Sequence, residues 1–359
     1  MKRTFGTLVV SLVLAAGAVG SAATTDLDRA VPHYDHIVVI LEENKGNTTV
    51  LDRGLAPSIS ALSKEYGSAT AMYAEVHPSE GNYVALLGGD TFGIHDDDAW
   101  YCVPGSTRAF CKNSAKPDYV AHEIDAPNLG TQIRAKGLDW RAYLEDLPEP
   151  GSTAIISRGT ATTPPALYAA KHTGFTNFKS TIDDPDRAQR LVGFDRWQRD
   201  LAAGTVPAFA LVVPNQCNEM HGIDASAGAG VPADCSDKEG VIRRGDAYAG
   251  NLVRAIQASS LWKSGNTAIV ITWDEDGGGD RVAGAKVSCC VVDARIPGGG
   301  HIPTVVITNH GPRGLNDPTE YNHFSLLRTF EDALGLDGHV GHADDQTVRP
   351  MTPLFALRH

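Results

Sequence analysis

The sequence predicts an α/β protein: a three-layer αβα sandwich around a mostly parallel sheet. Four short runs rich in Val and Ile, at 36–41, 208–213, 268–273 and 304–308, have the continuous apolar character of strands covered on both faces. Segments of helical period fill the intervals, at 58–66, 129–136, 186–201, 246–261 and 323–334. This βαβα alternation places helices on both faces of one sheet.

In chain order, residues 1–23 come first: Lys2 and Arg3, an apolar run from Leu8 to Val19, then Gly20-Ser21-Ala22-Ala23. A basic start, a short apolar stretch and small residues at its end predict a secretory signal peptide, cleaved near Ala22 or Ala23. The run is shorter than the ~20 residues a membrane helix needs, so no stable membrane anchor is expected, and residues 24–359 read as one exported domain. No Ser/Pro-rich linker, charge run or internal repeat divides them.

The chain carries a formal net charge of −12, which the loss of Lys2 and Arg3 would deepen. With no basic run or stripe to displace counterions from phosphates, nucleic-acid binding is excluded. Small phosphate esters remain possible ligands where local donors outweigh the global charge.

All six cysteines follow the signal segment, so disulfides are expected in an exported protein. Proximity favours Cys102 with Cys111 and Cys217 with Cys235, and leaves the state of the adjacent Cys289 and Cys290 open. None of the spacings suits a zinc finger.

The first strand runs into Glu42-Glu43-Asn44, the second into Pro214-Asn215, the third into Asp274-Glu275-Asp276-Gly277 and the fourth into Asn309-His310. In open α/β sheets the ligand crevice lies beyond the carboxyl ends of the strands, so these distant residues are expected to converge. Glu43, Asn44, Asp274 and Glu275 offer hard oxygen donors of the kind that take Mg²⁺, Mn²⁺ or Ca²⁺. Either acidic cluster alone is also compatible with a solvated strand-end turn.

Between the first two strands lies His77-Pro78-Ser79-Glu80-Gly81-Asn82-Tyr83, which places a hydroxyl at the start of a short helix over 82–87. Helix N-termini favour anions, and a cation nearby would lower the hydroxyl pKa of Ser79. A loop serine capping the helix is the plainer alternative. The Gly-x-Ser-x-Gly elbow of α/β-hydrolases does not occur here. His172, His221 and His323 sit in polar surroundings suited to protonating a leaving group or holding a metal, and Lys171 to contacting a phosphate oxygen. His95, His122, His339, His342 and His359 read as structural or surface residues.

Several ordered blocks resemble the phosphoesterase family of the alkaline phosphatase superfamily, in particular the secreted acid phosphatases of mycobacteria and related actinobacteria. These blocks are His36 through Asn44, His77 through Tyr83 with Thr91-Phe92-Gly93, Glu145-Asp146-Leu147-Pro148, Lys171-His172, Val213-Pro214-Asn215 with Met220-His221, Thr272 through Asp276, and His323 through Leu336. The resemblance implies an alkaline phosphatase-like fold and a secreted, metal-dependent acid phosphatase. Its substrates would be small phosphate monoesters, phosphoinositides among them, hydrolysed through a phosphoserine on Ser79.

It further implies that Glu43, Asn44, Asp274 and Glu275 line a site for a divalent cation, Zn²⁺ included. Asn82 would hold a phosphoryl oxygen, His172, His221 and His323 would line the pocket, and Lys171 and Asn215 are substrate-binding candidates. Gly81 departs from the usual Pro of such relatives, and Glu219-Met220-His221-Gly222 from the more common Asp-Met-His-Asp. A phospholipase C-type phosphodiesterase and a Ca²⁺-stabilised binding module are the competing functions. Oligomeric state is not legible.

Overall fold

The computed structural model describes residues 1, 30–157, 166–224, 226, 230–278, 284–291 and 298–358. The predicted signal segment lies outside the described residues, apart from Met1.

Eight strands form one sheet in the order β4-β3-β5-β1-β6-β7-β2-β8. In chain order they are β1 (His36–Glu42), β2 (Gly67–Ala74), β3 (Trp140–Leu144), β4 (Leu191–Val192), β5 (Phe209–Val213), β6 (Thr267–Trp273), β7 (Gly300–Thr308) and β8 (Leu315–Asn322). The longer flanking helices are α1 (Pro57–Glu65), α2 (Glu80–Gly88), α3 (Leu129–Ala135), α4 (Phe194–Ala203), α5 (Gly240–Ala258) and α6 (His323–Ala333).

The parallel centre follows from sequence. β1, running HIVVILE, lies between β5 and β6 with both pairings parallel, and Ile37 through Leu41 are buried to 1% exposure or less. Residues covered on both faces can be apolar throughout, which is why β1, β5 and β6 show no alternation.

One strand reverses. The run at 304–308 belongs to a longer β7, antiparallel to both β6 and β2. Its polar end, Asn309-His310, therefore lies at the far edge of the sheet, where Asn309 Oδ1 accepts the Thr267 N–H at the start of β6. Gly300, at the other end of β7, packs against the Asp276 side chain in the turn that follows β6. Convergence thus holds for β1, β5 and β6 and fails for the fourth run, because an apolar stretch carries no information about direction.

The predicted helix at 186–201 is also corrected. Arg187–Arg190 forms one turn, Leu191–Val192 pairs with β3 as β4, and α4 begins after Gly193. The predicted helices at 58–66, 129–136, 246–261 and 323–334 appear as α1, α3, α5 and α6; α5 starts at Gly240, earlier than its sequence period suggests.

Cys102–Cys111 and Cys217–Cys235 are bonded as proximity favours. Cys289 and Cys290 are bonded to each other.

Candidate active site

β1 and β6 run side by side and pair Glu42 with Trp273, so the next residues of each strand emerge together. The Asn44 N–H donates to Asp274 Oδ1 at 2.9 Å, and the Asp274 N–H donates to the Glu42 carbonyl at 3.3 Å. Asn44 has φ 63° and Gly277 φ 68° where the two turns meet. A Cβ on Gly277 would lie 2.3 Å from the Asn44 carbonyl, so only glycine admits this approach. Backbone geometry of this kind keeps the acidic side chains of Glu43, Asp274 and Glu275 at one rim.

Ser79 enters from α2. It occupies the N-cap position, yet its φ of −48° and ψ of −51° are helical and its hydroxyl makes no cap bond. The capping alternative is thereby overturned. Ser79 Oγ instead donates to Glu43 Oε1 at 2.5 Å, with Glu275 Oε1 at 3.4 Å. Gly81 sets α2 tightly in place, since a Cβ there would lie 2.5 Å from both the Ile94 carbonyl and Val76 Cγ1.

Around Glu43 the structure gathers two histidines. His172 Nε2 lies 2.9 Å from Glu43 Oε1 and its Nδ1 lies 2.6 Å from Glu219 Oε1, both off the N–H axes. Tyr83 stacks on the His172 ring with centroids 5.5 Å apart. His221 Nε2 is 3.9 Å from Glu43 Oε2, and its Nδ1 is 2.6 Å from the Gly222 carbonyl, to which it donates. Glu43, His172 and His221 each offer a ligand atom within 4.8 Å of the others, a spacing that one metal ion can bridge.

The site is acidic and deeply buried. Glu42, Glu43, Asp274 and Glu275 are all under 5% exposed. Glu43 Oε2 and Asp274 Oδ2 are buried with no hydrogen-bond partner, an arrangement that costs free energy unless a cation or protons compensate. Burial favours the neutral form of Glu43, yet His221 and His172 outweigh it and hold the carboxyl well below its ordinary range. Burial, then Glu43 and Glu275, push Asp274 well up. Burial also raises Glu275 and Glu219, each opposed by a histidine, His77 and His172 respectively. Against its own burial, His172 is raised to about 9 by Glu219 and Glu43.

The other candidates separate by location. His323 is fully buried under the rim: Nδ1 is 2.5 Å from Glu75 Oε2 and Nε2 is 2.8 Å from the Trp273 carbonyl. Despite burial, Glu75 raises its pKa, and because the Trp273 carbonyl can only accept, Nε2 donates to it and the ring braces the end of β6. Lys171 pairs with Asp97 at 2.7 Å. Burial opposes its charge, but Asp97 and then Glu43 raise its pKa.

Asn82 uses its amide on local backbone, accepting from the Glu75 and Val76 N–H groups at 3.0 Å each and donating to the Val76 carbonyl at 2.8 Å. Asn215 is likewise occupied: its amide donates to Asp146 at 2.7 Å, and its Oδ1 accepts the Cys217 and Asn218 N–H groups at 3.0 and 3.1 Å. In this structure both amides brace local turns.

Sequence reasoning missed His77 and Glu219. The His77 ring contacts Glu275 through Nδ1 and lies 3.2 Å from Asp276 Oδ1 through Nε2, tying the nucleophile turn to the β6 turn. Its position two residues before Ser79 is the signal that points to it. Glu219 lies within the Glu219-Met220-His221 block, but only the fold reveals that its carboxylate meets His172. A cleft of about 610 Å³ opens beside the site, lined in part by Asn44, His221 and Asp276. His221 is about one quarter exposed and reaches it, whereas His172 is 2% exposed.

Residues 48–337 match the phosphoesterase family profile. A phosphatidylinositol-3-phosphatase of Mycobacterium tuberculosis is 30% identical over 349 residues, covering 97% of this chain and 90% of its own length. An acid phosphatase of Aspergillus fumigatus is 26% identical over 267 residues, covering 74% of this chain and 48% of its own. Among solved structures, an alkaline phosphatase superfamily protein from Vibrio parahaemolyticus superposes with a TM-score of 0.54 at 16% identity, covering 90% of this chain and 72% of that one. The lipoteichoic acid synthase LtaP from Listeria monocytogenes has a TM-score of 0.54 at 10% identity, covering 92% and 79%. At such identities the structural likeness establishes the fold alone.

Proposed function

This chain belongs to the phosphoesterase family, and from that premise we propose that it is an exported, metal-dependent acid phosphatase that hydrolyses small phosphate monoesters through Ser79. One observation carries the reading: Ser79 Oγ, at the head of α2, donates to Glu43 Oε1 at 2.5 Å within a cluster of buried, unsatisfied carboxylate oxygens.

Orphaned oxygens on Glu43 and Asp274, with the Glu275 carboxylate beside them at the same rim, fit a divalent cation. A cation bound there would supply positive charge that lowers the pKa of the serine hydroxyl and neutralises phosphoryl oxygens.

The chain's own groups do the rest. Glu43 Oε1 accepts the hydroxyl proton, and Ser79 Oγ bonds to phosphorus as the bond to the ester oxygen breaks. His221, the histidine that reaches the cleft, gives a proton to the departing oxygen. Water then attacks phosphorus, giving a proton to His221, while the bond to Ser79 breaks and Ser79 Oγ takes back the proton held by Glu43; phosphate leaves and both groups are restored. His172, locked between Glu43 and Glu219, keeps Glu43 ionised and oriented. Lys171 and the N-terminus of α2 favour the phosphate dianion. Phosphoinositides are among the substrates proposed on the strength of the mycobacterial relative.

Export is supported by the leading segment and by the three disulfides. Among the described residues no helix is long and apolar enough to cross a membrane.

The test is hydrolysis of p-nitrophenyl phosphate by wild type and Ser79→Ala, with chelator and then with added Mg²⁺, Mn²⁺, Ca²⁺ or Zn²⁺. The expected result is loss of at least ~10³-fold on removing Ser79, and chelator-sensitive activity in wild type. A well-folded, fully active Ser79→Ala protein would refute the nucleophile; full activity in chelator would refute the metal.

A further inference from the structure

A loop closed by the Cys102–Cys111 disulfide lies outside the machinery above. Among the described residues the only large apolar side chains left exposed, apart from Met1, are Val103 at 47% and Phe110 at 41%, and both belong to this loop. Trp100 and Tyr101, half-buried, stand at its base. Phe110 has φ 63°, a conformation rare for a bulky side chain, and is fixed there by Cys111 and by its carbonyl, which accepts the Ala99 N–H at 3.0 Å. A ring held outward at the cost of backbone strain is not an accident of poor packing.

Charge points the same way. Residues 99–117 hold Arg108, Lys112 and Lys116 and no Asp or Glu, although the chain as a whole has a net charge of −12. All three basic residues are exposed, and the Arg108 guanidinium lies 3.6 Å above the Tyr101 ring centroid. Asp98, at the base of the loop, is buried and accepts the Lys112 and Asn113 N–H groups at 2.9 and 2.8 Å. The nearest exposed carboxylate in sequence, Asp118, contacts His95 at 3.3 Å. Two apolar tips, aromatic side chains at their base and surrounding cations make up the composition of an interfacial lipid-binding element.

The inner side of the loop leads toward the site. A cavity of about 190 Å³ has walls that include Trp100, Phe110, Ile155 and Ile156 and extend to Asp97 and Lys171, the neighbour of His172. Trp100 Nε1 donates to the Thr153 carbonyl at 3.1 Å, so the loop is braced on the segment that forms one wall.

We propose that the Cys102–Cys111 loop docks this protein reversibly on bilayers of anionic phospholipid, with Val103 and Phe110 entering the acyl boundary and Arg108, Lys112 and Lys116 meeting the headgroups. Such docking is peripheral, since one loop with two apolar side chains supplies far less than a spanning helix. It does not depend on which residue is the nucleophile.

The experiment is co-sedimentation of the full chain with vesicles of phosphatidylcholine alone and of phosphatidylcholine mixed with phosphatidylserine. Wild type is expected to bind the mixed vesicles at least ~10-fold better, less so as salt rises. Val103→Ser with Phe110→Ser should weaken binding to mixed vesicles about 10-fold, and neutralising Arg108, Lys112 and Lys116 to Gln should erase the preference for anionic lipid, at about fivefold per charge. Both variants should hydrolyse soluble p-nitrophenyl phosphate within about twofold of wild type, which shows an intact fold. Equal binding of wild type to both vesicles, no binding to either, or undiminished binding by the active serine variant would each overturn the proposal.

Discussion

Asp274→Asn separates a carboxylate that stabilises the fold from one that serves a cation. Asp274 Oδ1 accepts the Asn44 N–H at 2.9 Å, while Oδ2 is buried with no partner and faces an electrostatic environment dominated by Glu43 and Glu275. Asparagine retains the acceptor, supplies an N–H₂ where the orphan oxygen stood, and removes one buried negative charge. Because the folded-state pKa of Asp274 is raised, its protonated form favours folding, and stability is lost as pH rises from the ordinary carboxyl range through that raised value. Every tenfold gain in proton affinity on folding corresponds to about 1.4 kcal/mol, and with relaxation of the site we expect the variant to be about 1–3 kcal/mol more stable than wild type in chelator at neutral pH.

The order reverses when a cation is added. At a hundredfold excess over its Kd, a bound ion stabilises wild type by about 2.7 kcal/mol, which for a chain of this length raises Tm by about 4 °C. The variant should gain little and lose most activity. Thermal unfolding of both proteins in chelator, then with each divalent ion, decides the matter. A variant less stable than wild type in chelator, or one with the same ion-induced rise in Tm, would refute the reasoning.

Two further outcomes are expected. His221→Asn should slow alkyl phosphates by about 10²-fold or more and p-nitrophenyl phosphate much less, because the better leaving group needs no proton; steady-state kinetics on both esters checks this. Glu331 is fully buried, accepts the Val340 N–H at 2.9 Å, and is raised by burial to about 8, so its contribution to stability is present at low pH and lost as pH climbs from about 4.5 through about 8. Glu331→Gln keeps the acceptor and should flatten that decline by up to about 4 kcal/mol, measured as denaturant midpoints at pH 5 and pH 8.5.

How far the sequence speaks for itself depends on the kind of information each element carries. β1, β5 and β6 are legible because burial on both faces demands unbroken Val and Ile, and their polar ends mark one rim of a sheet. β2 and β8 are not: GSATAMYA and LNDPTEYN are too polar or too small to register as apolar runs, and they are strands because β2 pairs with β7 and β8 pairs with β2. The same dependence on partners hides β4, a two-residue strand inside a helical pattern, and the reversal of β7.

At the site, the proximity of Ser79 and Glu43 is legible from a strand end and a helix start, since both are properties of local pattern. The Glu219–His172 contact is not, because it joins two loops whose approach is set only by packing. Asn82 and Asn215 show the converse case: a resemblance points to substrate, whereas the amides here are held by backbone groups close in sequence and by Asp146. Each amide nitrogen donates one of its two N–H groups there, which leaves the second for a phosphoryl oxygen.

The central claim is a covalent bond between Ser79 and phosphorus, and the stereochemical course of phosphoryl transfer tests it most directly. With an isotopically chiral phosphate monoester as donor and an alcohol as acceptor, two successive in-line displacements leave the configuration at phosphorus retained, which is the predicted result. Inversion would mean a single displacement by the acceptor, with Ser79 a bystander.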